Sequence, residues 1–197
     1  MQISAAQVKD LRTKTGVGFM DCKKALEECE GDFDKAIELL RLKGLSKAQK
    51  KSGRSTGEGL VVSYIHPGNK IGVLLEINCE TDFAAKTEDF QLFAKNVAMQ
   101  IAATSPLAVD REEIDKDLVA KEKEFLKKQV LEENKPEHVI EKIIEGRMEK
   151  YFSDTCLMDQ AYIRDNDIKI SNLLTDLISK IGENVRIARF SRFQLGQ

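Results

Sequence analysis

Asn78-Cys79-Glu80-Thr81-Asp82-Phe83-Ala84-Ala85-Lys86 is where the chain changes its period. The residues just before it, Gly72 to Ile77, are apolar and rich in β-formers, and they read as a strand. From Thr87 onward, Phe90, Phe93, Ala94, Val97, Ala98 and Ile101 recur at i, i+3, i+4, i+7 and i+8. That spacing predicts an amphipathic helix with Thr87 as its cap. The junction between the two is polar, and a Phe beside an Asp there has two readings. Phe83 either caps the core or stands out to enter a partner, and periodicity alone leaves the choice open.

Upstream, Leu60 to Ile65 is a second β-rich run, and Pro67-Gly68-Asn69 supplies turn chemistry between the two. A hairpin follows. Downstream, Ser105-Pro106 ends the Thr87 helix. Asp110 and Glu113 predict the cap of another helix, with Val109 and Ile114 at the staple positions. Its apolar stripe is narrow (Ile114, Leu118, Phe125, Val130), so it is either a solvated helix laced by ion pairs or a face for another helix. Asn134-Lys135-Pro136 breaks that run. Pro136 suits the first turn of a helix carrying Val139, Ile140, Ile143, Ile144, Met148, Tyr151 and Phe152. Ser153 to Asp167 reads as irregular, with Asp165-Asn166-Asp167 as a turn. Ser171 predicts the cap of a helix stopped by Gly182. Asn184 to Phe193 reads as a last strand that joins the hairpin.

The first 45 residues read as three short helices. Ser4 and Gln7 form a capping box. Thr15-Gly16-Val17-Gly18 breaks the first helix, and the second starts near Phe19 to Asp21. Gly31 ends the second, Asp32 caps the third, and Gly44 is expected to close it. Phe19 and Met20 follow the glycine loop and either fill the small core or form an exposed apolar knob. The expected organisation is a three-helix docking module over 1–45, a linker over 46–59, and an α+β core with a dimerisation region over 60–197. The fold class is α+β: an N-terminal three-helix, ubiquitin-associated-like module, then a small antiparallel sheet backed by helices.

Composition narrows the function. The 197 residues carry a net charge of −2, with 42% hydrophobic and 32% charged side chains. That balance allows a real core and argues against generic nucleic-acid or membrane-surface binding. The run Lys47, Lys50, Lys51 and Arg54 is a conceivable nucleic-acid patch, but no aromatic residues are interleaved for base stacking. Cys22, Cys29, Cys79 and Cys156 are scattered without metal-ligand spacing or a disulfide framework, and His66 and His138 stand alone. A reducing, cytosol-like compartment is expected, with no signal peptide and no bilayer-spanning segment. The motifs of serine hydrolases, zinc proteases, phosphate loops and dinucleotide folds are missing. Glu80 and Asp82 form a carboxylate pair without a substrate-positioning group. No catalysis by this chain is expected.

Four ordered motifs carry a resemblance. Val8-Lys9-Asp10-Leu11-Arg12, Thr15-Gly16-Val17-Gly18-Phe19-Met20-Asp21-Cys22-Lys23-Lys24-Ala25-Leu26 and Gly31-Asp32 resemble the N-terminal module of translation elongation factor Ts. Glu76 to Ala85, Glu145 to Phe152, and the ending Arg189 to Gly196 are similar to later signatures of that family, in the same order. The resemblance implies guanine-nucleotide exchange on the GTPase elongation factor Tu during translation, in the bacterial cytosol or an organelle such as a plastid. It implies that Thr81, Asp82, Phe83 and Ala84 form a turn that intrudes beside the partner's magnesium site and dislodges the ion. It implies no cofactor on this chain.

Placing one Phe in an apolar slot contributes about 1.5–3 kcal/mol. A thousandfold weakening of nucleotide binding needs about 4 kcal/mol. A second contact surface is therefore expected, and Gly16, Gly18, Phe19 and Met20 are its candidates. Ala84 stands where the family more often has Val, and Phe19 where Met is common. The length resembles the short form of the family, which implies a homodimer, with Cys156 a candidate bridge. The rival reading is a non-catalytic protein- or RNA-interaction module that uses the helical start or the basic run.

Overall fold

A computed structural model describes residues 3–133 and 136–196. The helices are α1 (Ala5–Thr15), α2 (Phe19–Glu28), α3 (Phe33–Lys51), α4 (Asp82–Ala85), α5 (Glu88–Thr104), α6 (Lys116–Glu132), α7 (Glu137–Thr155) and α8 (Ile170–Ile181). The strands are β1 (Glu58–Ile65), β2 (Ile71–Cys79), β3 (Ala161–Tyr162), β4 (Asp165–Lys169) and β5 (Val185–Gln194). Three strands form one sheet in the order β1-β2-β5, and β3-β4 form a separate pair. The hairpin and the late strand beside it are the elements the sequence predicts. The chain folds into two compact units that interleave in sequence. One holds the chain up to Leu60, Ile77–Phe93 and Asn172–Arg186; the other holds Val61–Glu76, Ala94–Ser171 and the chain from Ile187.

In the first unit, α1 to α3 enclose Val8, Leu11, Cys22, Ala25, Leu26, Ala36 and Leu40. Ser4 and Gln7 cap α1 reciprocally, and Asp32 accepts from the amides of Asp34 and Lys35 to open α3. The third helix does not close at Gly44. It continues through the first part of the expected linker to Lys51. Glycine weakens a helix by about 1 kcal/mol relative to alanine but does not stop one, and no proline follows to do so. Gly44 is buried, and a Cβ there would lie 2.8 Å from Ser179 Oγ, so its small size serves the close approach of α8.

The second unit contains the hairpin turn, where His66 donates to the Ile71 carbonyl (2.9 Å). Helices α6 and α7 pack through Leu126, Val130, Ile144 and Met148. Leu118 and Phe125, expected on the inner stripe of α6, are 44% and 54% exposed. Residues Arg111–Glu113 form a 3-10 turn, and Asp115, not Asp110, precedes α6 and accepts from the Asp117 amide (2.8 Å). The buried face runs through Leu126 and Val130, which pack with Ile144 and Met148 of α7. Pro136 is the N-cap of α7; the break at Asn134-Lys135 lies outside the described residues. The stretch 153–167 is more regular than expected. Helix α7 runs on to Thr155, a 3-10 turn covers Leu157–Asp159, and Asp165 to Asp167 belong to β4. Ser171 lies inside the first turn of α8 rather than before it.

The buried glutamines of this unit, Gln100 and Gln160, are tied together. Gln100 donates to Gln160 and to the Ala161 carbonyl (3.1 Å each) and accepts from the Ile163 amide (2.9 Å). Arg111 chelates Asp159 and Glu149 and lies 4.7 Å above the Phe152 ring. Cys156 is a fully buried free thiol, so it is not available as a bridge to a second chain in this fold.

Candidate partner-binding site

Thr81 is extended (φ −132°, ψ 155°) and ends the strand path. Its hydroxyl accepts from the Ala84 amide at 3.4 Å, which starts the single turn α4. Thr87 stops that turn by donating to the Ala84 carbonyl (2.7 Å) and starts α5 by accepting from the Phe90 amide (3.3 Å). Within α4 the apolar residues divide. Ala84 and Ala85 are each 3% exposed, whereas Phe83 is 77% exposed. Two small residues sink into the fold, and the large aromatic one between them and Asp82 is held out. Of the two readings of Phe83, the core cap does not stand.

Asp82 beside it accepts from Lys86 Nζ at 2.6 Å, and the same ammonium lies 5.7 Å from the centre of the Phe83 ring. The Lys86 hydrogen bond holds the Asp82 carboxyl below the usual carboxylate range, so it is charged at neutral pH.

The turn is held from a distant part of the chain. Glu183 accepts from both the Thr81 amide (2.9 Å) and the Thr81 hydroxyl (2.7 Å). In return, the Asn184 amide donates to Glu80 (2.6 Å), which also faces Arg54 at 3.4 Å. The Asn184 side chain donates to the Arg54 carbonyl (2.9 Å), and Lys51 donates to the Gly182 carbonyl. The Asn184 hydrogen bond is the main cause that lowers the Glu80 carboxyl. Cys79 donates its thiol to the Thr81 carbonyl (3.1 Å), and burial pushes that thiol up, so it stays protonated. Glu183 and Asn184 escape sequence reasoning because they lie about a hundred residues from their partners.

The other candidate surface belongs to the same compact unit. Gly16 ends α1 in the left-handed region (φ 68°) and donates to the Arg12 carbonyl (2.8 Å). Gly18 precedes α2 with an ordinary φ of −56°, and the space where its Cβ would stand is open. Phe19 and Met20 fill the first turn of α2 and are 41% and 60% exposed, while Cys22, Ala25 and Leu26 form its inner face. Asp21 next to them is paired with Lys47 at 2.8 Å. The structure thus places Thr81, Asp82 and Phe83 at the surface with Ala84 beneath them, and Phe19 and Met20 at the surface beyond the Gly16–Gly18 loop.

Together these features define an α+β protein with an N-terminal helical module and with large apolar side chains exposed at the starts of α2 and α4. The relatives are consistent. Residues 4–197 match the family described as Elongation factor TS. The chain is 54% identical over 195 residues to the elongation factor Ts of Desulfosudis oleivorans, covering 99% of this chain and 98% of that one. It is 58% identical over 196 residues to that of Anaeromyxobacter sp. strain K, covering 100% and 90%. It is 53% identical over 197 residues to that of Fervidobacterium nodosum, covering both in full. The chain belongs to the elongation factor Ts family.

Proposed function

We propose that this chain is a guanine-nucleotide exchange factor for elongation factor Tu in translation elongation, acting in the cytoplasm. The observation that carries the reading is Phe83, 77% exposed on a turn whose flanking residues are buried or clamped. A ring held out this way loses little conformational freedom on docking, which preserves the energy of its burial. Thr81, Asp82, Phe83 and Ala84 are the intruding turn. Phe83 wedges between partner elements beside the magnesium ion, Asp82 displaces local hydrogen bonds, and loss of the ion distorts the phosphate site so that GDP leaves. Phe19 and Met20, presented by the Gly16–Gly18 loop, form the second contact that one wedge requires. Linkage makes the effect reciprocal, so GTP entering the partner releases the factor. The factor works without a cofactor or chemistry of its own.

We also propose that two copies pair. Val61, Ile65, Leu74, Phe193 and Leu195 are exposed apolar residues, and several line a shallow groove of about 400 Å³. A second copy is the proposed occupant, and a sedimentation mass of one chain would remove this part. The RNA reading is disfavoured by the basic run itself. Lys47 pairs with Asp21, Lys51 with the Gly182 carbonyl, and Arg54 with Glu80. The test is release of fluorescent GDP from elongation factor Tu. Substoichiometric chain accelerates it under this reading, and an unchanged release rate overturns the reading.

A further inference from the structure

We infer that Glu183 is a positioning residue that sets the conformation of the Thr81–Ala84 turn. The inference rests on the exchange-factor reading of that turn. Its basis is the direction of one proton. The Thr81 hydroxyl has one hydrogen to give and lone pairs to receive with. Ala84 needs it as an acceptor, because that contact (3.4 Å) opens the turn bearing Asp82 and Phe83. A free hydroxyl rotates and spends part of its time with the proton facing Ala84. An ionised carboxylate only accepts. Glu183 Oε1, 2.7 Å from Thr81 Oγ, therefore draws the hydroxyl proton away from Ala84 and leaves a lone pair facing its amide. Its other oxygen takes the Thr81 amide at 2.9 Å, so the carboxylate grips backbone and side chain of one residue.

The grip is itself anchored. The next residue, Asn184, is buried, donates its amide to Glu80 at 2.6 Å, and donates its side chain to the carbonyls of Arg54 (2.9 Å) and Ser52 (3.4 Å). Residue pairs 80–81 and 183–184 thus exchange hydrogen bonds in both directions. The loop after α8 fixes the register of the turn, although neither Glu183 nor Asn184 needs to touch the partner.

Glu183→Gln tests the idea with little change in shape. Its oxygen stays with the Thr81 amide and its NH2 stands where Oε1 stood, so the Thr81 hydroxyl loses its acceptor there and its proton is free to face Ala84. The maximal GDP-release rate should fall about tenfold, the equivalent of one charged hydrogen bond. The concentration of chain giving half that rate should change little, since the Met20 surface is untouched. Thr81→Val removes the same hydroxyl and should cost a similar factor. The Glu183→Gln/Thr81→Val double variant should be no slower than Thr81→Val, because both act through one contact. Thr81→Ser keeps the hydroxyl and should retain the rate. Amide hydrogen exchange at Ala84 should speed up in Glu183→Gln, with the increase confined to residues 81–86.

Multiplying losses in the double variant, or unaltered Ala84 exchange, overturns the inference. A full maximal rate in Glu183→Gln overturns it while leaving the exchange-factor reading intact. Failure of the unsubstituted chain to release GDP instead removes the reading on which it rests. If Glu183→Gln lowers the melting temperature by several degrees, the Ala84 exchange rate below the transition decides. Faster exchange confined to residues 81–86 supports the inference, and faster exchange throughout the first unit overturns it.

Discussion

Ala84 and Phe83 are adjacent and have opposite environments, one packed into the fold and the other held in solvent. Burying a Phe contributes about 1.5–3 kcal/mol, which the free protein forgoes at Phe83 and a partner can recover. Met20 is in the same position, 60% exposed on the first turn of α2. Met20→Asp is expected to weaken binding to elongation factor Tu about tenfold or more, as an apolar contact is replaced by a desolvated charge. Its fold should stay intact, and equal affinity by titration calorimetry removes Met20 from the interface. The charge beside Phe83 gives a second prediction. Asp82 should titrate below the ordinary Asp value of about 3.9 because Lys86 donates to it. Lys86→Met should return it upward, and an NMR titration that shows no difference contradicts the pairing. Phe83 was legible in sequence as one of two alternatives. Its exposure removes the core cap, and exposure depends on where neighbouring elements lie, which no local pattern encodes.

Among the elements, those with strong local signals stand where the sequence puts them. The Ser4–Gln7 box, the Asp32 cap, the Pro67-Gly68-Asn69 hairpin and the Thr87 helix are all decided by residues within a turn of one another. The departures have tertiary causes. Helix α3 runs through Gly44, whose small size suits the approach of Ser179, and Phe125 of α6 faces outward because Leu126 and Val130 take the side that packs on α7. Glu183 and Asn184 were invisible for the same reason: a hydrogen bond spanning a hundred residues leaves no periodic trace. Gly59 shows how tightly β1 meets the strand leading to the site. It has φ 148°, and a Cβ there would fall 2.1 Å from the Ile77 carbonyl oxygen. Backbone cannot rotate aside as a side chain can. Gly59→Ala is expected to destabilise by about 1–3 kcal/mol or more, read as a lowered urea midpoint. A midpoint equal to that of the unsubstituted chain contradicts this geometry.

For the whole molecule, the proposed function assigns stability and exchange to different residues. The Arg111 cluster with Asp159 and Glu149 lies in the second unit, while the Thr81 turn lies in the first. Arg111 holds the Asp159 carboxyl below its unfolded value. A depressed folded pKa means the stabilisation is complete above the unfolded value near 4 and is lost as pH falls through the folded one. Arg111→Met should therefore lower stability at pH 7 by about 1–2 kcal/mol, after allowance for the partly exposed site. The two proteins should converge in stability once the pH falls below the depressed folded pKa of Asp159, where the protonated carboxyl no longer distinguishes them. A constant gap across that range, measured by urea unfolding, contradicts the assignment.

Exchange activity should be indifferent to that cluster and depend on the turn. The most direct test is the rate of fluorescent GDP release from elongation factor Tu, measured with the unsubstituted chain and with Phe83→Ala. The account predicts acceleration by the first and at least a tenfold lower maximal rate with the second. The melting temperature should shift by no more than about 1–2 °C, as expected for an exposed side chain. Equal maximal rates for the two proteins, or no acceleration by either, contradict it.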